Sequence, residues 1–423
     1  MNETVLEPPS TLPLPTVAAA TWRRWLAAFF CYNSTMSLLF TSAIWVIYLA
    51  SHGYSPFMIG LMEMTFHIAK FVAEVPAGIF ADLLGRRKSL IVYSVLGSVE
   101  KLAYLVPSPP LLFLSFVVSG ISYAFLGGAN ESVLWTLVGH STAGDTEKQT
   151  ARYGRLFSVM LMLSMVSEVS GTALGGYLGS IMQTLPFICQ IVVNLVAIIP
   201  LMLLPRSIVE ARREQHTQQN PIAHLGRGLR AVWQSPALLG FICIAGLTEC
   251  CAATVYFYTQ LQLHGLGFTL SSVGIIMALS TGSQFAFTAL TPYLMRRVPT
   301  RLLIAVCIFL QIAGLVLMIV PNVVLSLFGF LVLFQAASAI SYPTISTRVN
   351  EICPEAQRTT ILSFQTGLFS LSMIVLFPLF GLGLTHLSYS IVYSWLVLGL
   401  SMGCGLIALI VWWRARYLKA RSL

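Results

Sequence analysis

The stretch that decides the fold runs from Glu63 to Lys88. It carries Glu63, His67, Lys70 and Glu74 inside an apolar run, then reads Gly78-Ile79-Phe80-Ala81-Asp82-Leu83-Leu84-Gly85-Arg86-Arg87-Lys88. The apolar run is long enough to cross a bilayer, which takes about 20 residues. Spacings of 4, 3 and 4 put the four ionisable residues on one face of a helix. A charge in hydrocarbon is costly, so such a face turns toward a bundle interior or a water-filled cavity rather than lipid. The polar turn that follows ends in three consecutive bases and belongs on the cytoplasmic surface, which orients this helix.

Working outward, twelve apolar spans are predicted at 25–50, 57–81, 89–106, 111–137, 156–182, 187–204, 237–262, 271–294, 302–320, 323–345, 360–384 and 390–413. With the amino terminus inside, all but two of the 24 Lys and Arg residues fall in cytoplasmic segments, and the two exceptions, Lys70 and Lys101, are intramembrane. The expected fold is an all-α polytopic membrane protein in the cell membrane, with both termini cytoplasmic. Hydrophobic residues make up 57% and charged residues 9%, against roughly a quarter charged in soluble domains. A net charge of +9 invites nucleic acid as a partner, but the bases follow the loops instead of forming a patch with interleaved aromatics. The eight cysteines form no CxxC pair and read as small hydrophobes; no metal or cofactor is expected. Residues 1–24 lack a basic, apolar leader and read as a short tail.

The polar segment at 206–236 divides the spans six and six, giving bundles at 25–205 and 237–413 and a tail at 414–423. An internal echo supports the division: His52-Gly53 leads into Gly60, and His264-Gly265 leads into Gly274. Two repeated halves with a solute site between them is a secondary-transporter design.

At Gly78–Leu90 the sequence GIFADLLGRRKSL resembles the loop signature between the second and third helices of the major facilitator superfamily. With Glu74-Val75-Pro76 before it, it is similar to the drug-efflux-like bacterial members. The resemblance implies twelve helices in two six-helix pseudo-repeats and a cavity exposed alternately to each side. It also implies a switch role for Gly78, Asp82, Gly85, Arg86 and Arg87, with Asp82 making contacts near the start of the eleventh helix. The fifth helix carries a degraded form of the antiporter pattern, Ser167, Gly171, Thr172, Gly175 and Gly176. The arginine usual in the fourth helix is absent from Leu114–Val118.

Six membrane-embedded acids, Glu63, Glu74, Glu100, Glu131, Glu168 and Glu249, face two lysines and one histidine. Desolvation makes that excess of negative charge expensive, so some acids are protonated, paired, or matched by a cation. Glu249 and Glu168 lie near mid-depth, and the resemblance, which has the first, fourth, seventh and tenth helices line the cavity, favours Glu249 and Glu131. The stripe Glu63, His67, Lys70 and Glu74 reads either as a proton path or as a salt-bridged seam, since Lys70 and Glu74 are i,i+4 partners. Glu100 and Lys101, pointing about 100° apart on a peripheral helix, read as structural. Asn33, Tyr256 and Gln335 are expected to line the cavity. No phosphate-binding loop and no embedded Ser/His/Asp set is present, so the chain does not read as an ATP-driven pump or an enzyme. The leading expectation is a monomeric, proton-coupled exporter of small amphipathic solutes; the alternative is uptake of a nutrient or metabolite on the same fold.

Overall fold

The computed structural model describes residues 18–142, 145–205, 232–353 and 358–421. Most of the tail at 1–24 and of the segment at 206–236 lies outside them. Among the described residues there is no strand. The helices are α1 (Ala19–Met36), α2 (Trp45–Ser51), α3 (Pro56–Leu84), α4 (Arg86–Leu102), α5 (Pro109–Leu126), α6 (Ala129–Thr142), α7 (Thr146–Ile181), α8 (Leu185–Val196) and α9 (Ile198–Met202). After the central segment come α10 (Pro236–Gly265), α11 (Leu270–Arg297), α12 (Thr300–Ile319), α13 (Val323–Phe328), α14 (Gln335–Ile352), α15 (Arg358–His386) and α16 (Tyr389–Arg421). Each predicted span has a counterpart. Nine helical stretches among the described residues are long and apolar enough to cross a membrane by length and composition alone. The first three predicted spans are not among them: the first is interrupted, the second carries the charged stripe, and the third is a helix of 17 residues.

The interruption corrects the expectation of one helix over 25–50. From Ser37 to Ile44 the chain is not helical. The helix yields there because α7 comes too close: a Cβ on Gly175 would stand 1.8 Å from the Phe40 carbonyl oxygen. A backbone group freed inside a membrane needs a new partner, and the Phe40 amide finds one in Gln190 Oε1 at 2.9 Å. The fourth span also breaks, between α5 and α6, at Gly127 and Gly128. The tenth passes through a π-turn at Gly329–Phe334, a local loosening common at functional sites.

Two antiparallel seams join the halves. Along the first, α3 packs on α15, and a Cβ on Gly60 would stand 2.6 Å from Pro378 Cα. Along the second, α7 packs on α11, where Gly176 and Gly274 meet backbone to backbone. Both seams are tightest at the end remote from Arg86–Lys88. There Tyr258 Oη donates to Pro56 O at 2.8 Å and Gln260 Nε2 to Ser42 O at 2.7 Å, both across the halves. The largest buried apolar cluster straddles the same end, with Ile47, Tyr48 and Met62 against Val255, Tyr258 and Phe377. At the basic end α3 leaves Val72, Val75, Ile79 and Leu83 more than half exposed.

The internal repeat keeps the register of Gly60 with Gly274, and only the His52-Gly53 and His264-Gly265 pairs stand two residues off it. Gly53 (φ 84) corresponds to Gly267 (φ 92), and each is followed by a helix N-cap, Ser55 and Thr269. Counting seven on from each glycine reaches Gly60 and Gly274, the glycines of the two seams.

Candidate functional site

A cavity of about 360 Å³ lies within the N-terminal helices and is closed on one side by the C-terminal ones. Its position follows from three small residues. Ser115, Ser119 and Ser122 recur at helical spacing on α5, so this face of α5 leaves room, and α4 behind it becomes part of the lining. Tyr93, Gly97, Glu100 and Lys101 enter the wall from α4, and Gln190 and Asn194 from α8. The C-terminal wall is Ala253 and Phe257 of α10 with Phe369 and Met373 of α15.

The stripe on α3 supplies Glu63, His67 and Lys70 to this chamber, while Glu74, one turn further along, stays outside it. His67 Nε2 lies 3.5 Å from Glu63 Oε1, and both residues are buried. His67 Nδ1 is buried with no hydrogen-bond partner. Lys70 is the fifteenth of the 29 residues of α3, so it sits at mid-helix. Glu63 and Glu74 are within electrostatic range of it, yet among the described residues no carboxylate lies within 4.0 Å of its Nζ. The seam reading of Lys70 with Glu74 therefore has no contact pair behind it here.

Glu100 and Lys101, which read as structural from the sequence, also stand in the chamber wall. They pair with each other at 2.5 Å and both line the chamber. Their Cα–Cβ bonds diverge, but the long lysine stem swings its ammonium back across the helix. Sequence reasoning set them aside because it treated the third span as peripheral; the serine periodicity of the fourth span was the available signal that a wall was missing there.

Glu249 lies outside the chamber but near it. It is the fourteenth of the 30 residues of α10, and its face continues one and two turns on as Ala253 and Phe257 of the chamber wall. Its Oε1 is buried with no hydrogen-bond partner. Glu168, half-buried on α7, is within electrostatic range of Tyr123 in the chamber and of Tyr256. Tyr256 Oη lies 3.4 Å from Ser42 Oγ across the seam. Glu131 is exposed in the first turn of α6, in range of Tyr153 and apart from the others. Asn33 spends its amide on its own helix, donating to Phe29 O at 2.9 Å, and Gln335 donates to Ser280 Oγ between α14 and α11. Neither lines the chamber, and nor does Tyr256.

At the basic end the motif divides into anchor and open surface. Gly85 (φ 94) turns the chain from α3 into α4. Arg87 donates to Leu204 O at 2.5 Å and to Met202 O at 3.0 Å, capping the sixth span. Arg86 is half-buried, Asp82 is exposed, and a Cβ at Gly78 would meet nothing within 4 Å.

Two broken halves, glycine seams and an ionisable chamber are a transporter's parts, and the comparison with known families agrees: the Major Facilitator Superfamily model matches residues 25–324 and 254–422. The chain belongs to that superfamily. Among curated relatives it is 24% identical over 347 residues to the uncharacterized MFS-type transporter YxaM of Bacillus subtilis (strain 168), covering 81% of this chain and 84% of the relative. It is 26% identical over 376 residues to the uncharacterized MFS-type transporter YhhS of Shigella flexneri, covering 86% and 85%. Among solved structures, a mutant of the nucleoside transporter NupG superposes with a TM-score of 0.76 at 14% identity, covering 92% of this chain and 98% of that one. The D-xylose-proton symporter gives 0.68 at 15% identity, covering 93% and 96%. A bacterial homolog of the human lysosomal transporter Spinster, in an inward-facing and unoccupied conformation, gives 0.66 at 15% identity, covering 95% and 97%. These likenesses show the major facilitator fold, and the superfamily match makes this chain a multi-pass membrane transporter.

Proposed function

We propose that this transporter exports small amphipathic solutes in exchange for protons, by alternating access, from a cell membrane in which both its termini are cytoplasmic. The observation that carries the proton coupling is Glu249, a mid-helix carboxyl whose Oε1 is buried and unpartnered beside the cavity wall. An ionised carboxylate left so would cost several kcal/mol, so it exchanges a proton or meets a cationic group each time the surroundings change. The likeness of Gly78–Leu90 to the drug-efflux-like members and the aromatic wall of Phe66, Phe116, Phe257 and Phe369 favour export of apolar-bodied solutes. In this orientation the tight seams face outward and the basic end opens inward, so release of α3 and α15 from each other at one end alternates with release at the other. The opening at Gly78 then closes in the outward-facing state.

A second reading, uptake of a metabolite, is favoured by one observation: the chamber holds both intramembrane lysines, Lys70 and Lys101. The test of coupling is Glu249→Gln in reconstituted vesicles. Coupling through this carboxyl predicts that solute counterflow persists while proton-driven uphill movement drops at least about tenfold, a loss of about 1.4 kcal/mol or more of coupling. Uphill transport at the parent rate would remove Glu249 from the mechanism.

A further inference from the structure

The chamber's charges are matched unevenly. Glu100 is engaged by Lys101 at 2.5 Å and Glu63 by His67 at 3.5 Å. Among the described residues that leaves two groups with no polar contact: the ammonium of Lys70, in electrostatic range of Glu63 and Glu74 but touching neither, and the Nδ1 of His67, whose residue is only 3% exposed. They sit one helical turn apart on the same face of α3, and both open into the cavity. Both chamber carboxylates already have partners, so a ligand's ammonium group would have to displace one of them. A ligand carboxylate displaces nothing. It supplies the missing counterion to Lys70 and, with His67 as an imidazolium whose Nε2–H faces Glu63, an oxygen for the Nδ1–H; the strongest polar contacts available to a carboxylate are of this charge-assisted kind.

The remaining walls specify the rest of the ligand. Phe66 and Phe116 on one side and Phe257 and Phe369 on the other offer aromatic faces, and His67 is already edge-on to Phe369 with centroids 5.7 Å apart. A cavity of about 360 Å³ falls at the small end of the range for ligand pockets, about 300–1,000 Å³. We propose that this chamber is a binding site for a small aryl monocarboxylate, its carboxylate between Lys70 and His67 and its ring between aromatic side chains of the two halves. Because α10 and α15 form one wall, an occupied chamber ties the C-terminal half to α3 and the site reports on the conformation of the seam. This rests on the transporter reading of the chain but not on proton coupling or on the direction of transport.

The test is made on the full chain in nanodiscs without any gradient, using 3-phenylpropionate and its matched amide and amine. Thermal unfolding should rise with 3-phenylpropionate and not with 3-phenylpropionamide or 3-phenylpropylamine. Lys70→Gln should abolish the shift, Lys70→Arg should keep it, and Lys148→Gln, an exposed lysine, should leave it unchanged. Because Lys70→Gln removes a half-buried charge on which folding can depend, the parent protein is also followed by reductive methylation with peptide mass spectrometry. At four times Kd the carboxylate should slow methylation of Lys70 about fivefold, by simple occupancy, and leave that of Lys148 unaffected. No shift with the carboxylate, an equal shift with the amide or amine, or unprotected Lys70 would overturn the proposal. A protein that binds the carboxylate but moves no protons loses the coupling and keeps the site; one that moves protons but ignores the carboxylate does the reverse.

Discussion

The meeting of Gly176 and Gly274 gives the sharpest handle on alternation. A Cβ at position 176 would stand 2.5 Å from Gly274 Cα and 2.6 Å from Leu270 O. Carbon atoms rest about 3.5–4.0 Å apart, so Gly176→Ala requires the α7 and α11 backbones to separate by about 1 Å. Overpacking of this kind costs about 1–3 kcal/mol. The gain in helix propensity, up to about 1 kcal/mol, applies to every conformation and does not enter the alternation. The closed seam is therefore disfavoured by about 5- to 150-fold relative to the open one. Ser271 Oγ donates to Ser180 Oγ at 2.9 Å just beyond this contact, so a Ser180→Cys, Ser271→Cys pair should oxidise readily in the parent. Adding Gly176→Ala should slow that oxidation about fivefold or more. Gly154→Ala, on the same helix where a Cβ meets nothing within 4 Å, should leave it unchanged. Oxidation at the parent rate with Gly176→Ala would refute the claim that this glycine pair holds the seam.

Tyr258→Phe removes the hydroxyl that reaches Pro56 O. At about 1 kcal/mol for such a bond, the same cross-link should form about fivefold less. Arg87→Ala strips two charge-assisted bonds from the carbonyls ending the sixth span. Thermal unfolding should show a loss of about 1.5–3 kcal/mol, with the cross-link rate unchanged because the loss lies within one half. Ser119→Leu fills the chamber from its α5 wall; transport should fall at least about tenfold while folding, followed by size-exclusion profile, is retained, and full activity would show that solute never enters there.

The spans were legible because hydropathy and the placement of bases are read residue by residue, and the stripe on α3 because a helix repeats every 3.6 residues. The break at Ser37–Ile44 was not, since SLLFTSAI is as apolar as its flanks and unwinds where Gly171 and Gly175 of a distant helix meet its backbone. The Glu63, His67 and Lys70 group could be named from spacing alone, whereas its separation from Glu74 depends on where α5 and α8 stand. Glu100 and Lys101 read as structural on two grounds, diverging helix faces and a peripheral helix, and neither ground allows for the reach of a lysine stem or for the small-residue face of α5. The echo of the two halves was visible, and the pairing of Gly60 with Gly274 already carried the register that the backbone keeps. Glycines at φ 84 and φ 92 align the halves, where the neighbouring histidines had suggested a shift of two.

The most direct measurement of the central claim uses purified protein in proteoliposomes with an acidic lumen, a lumenal pH dye, and amphipathic solutes added outside. The account predicts that a transported solute discharges the gradient in vesicles containing the parent protein and fails to do so in those containing Glu249→Gln. Solute crossing the parent vesicles while the lumenal pH holds steady would contradict it and leave facilitated or otherwise coupled transport in its place.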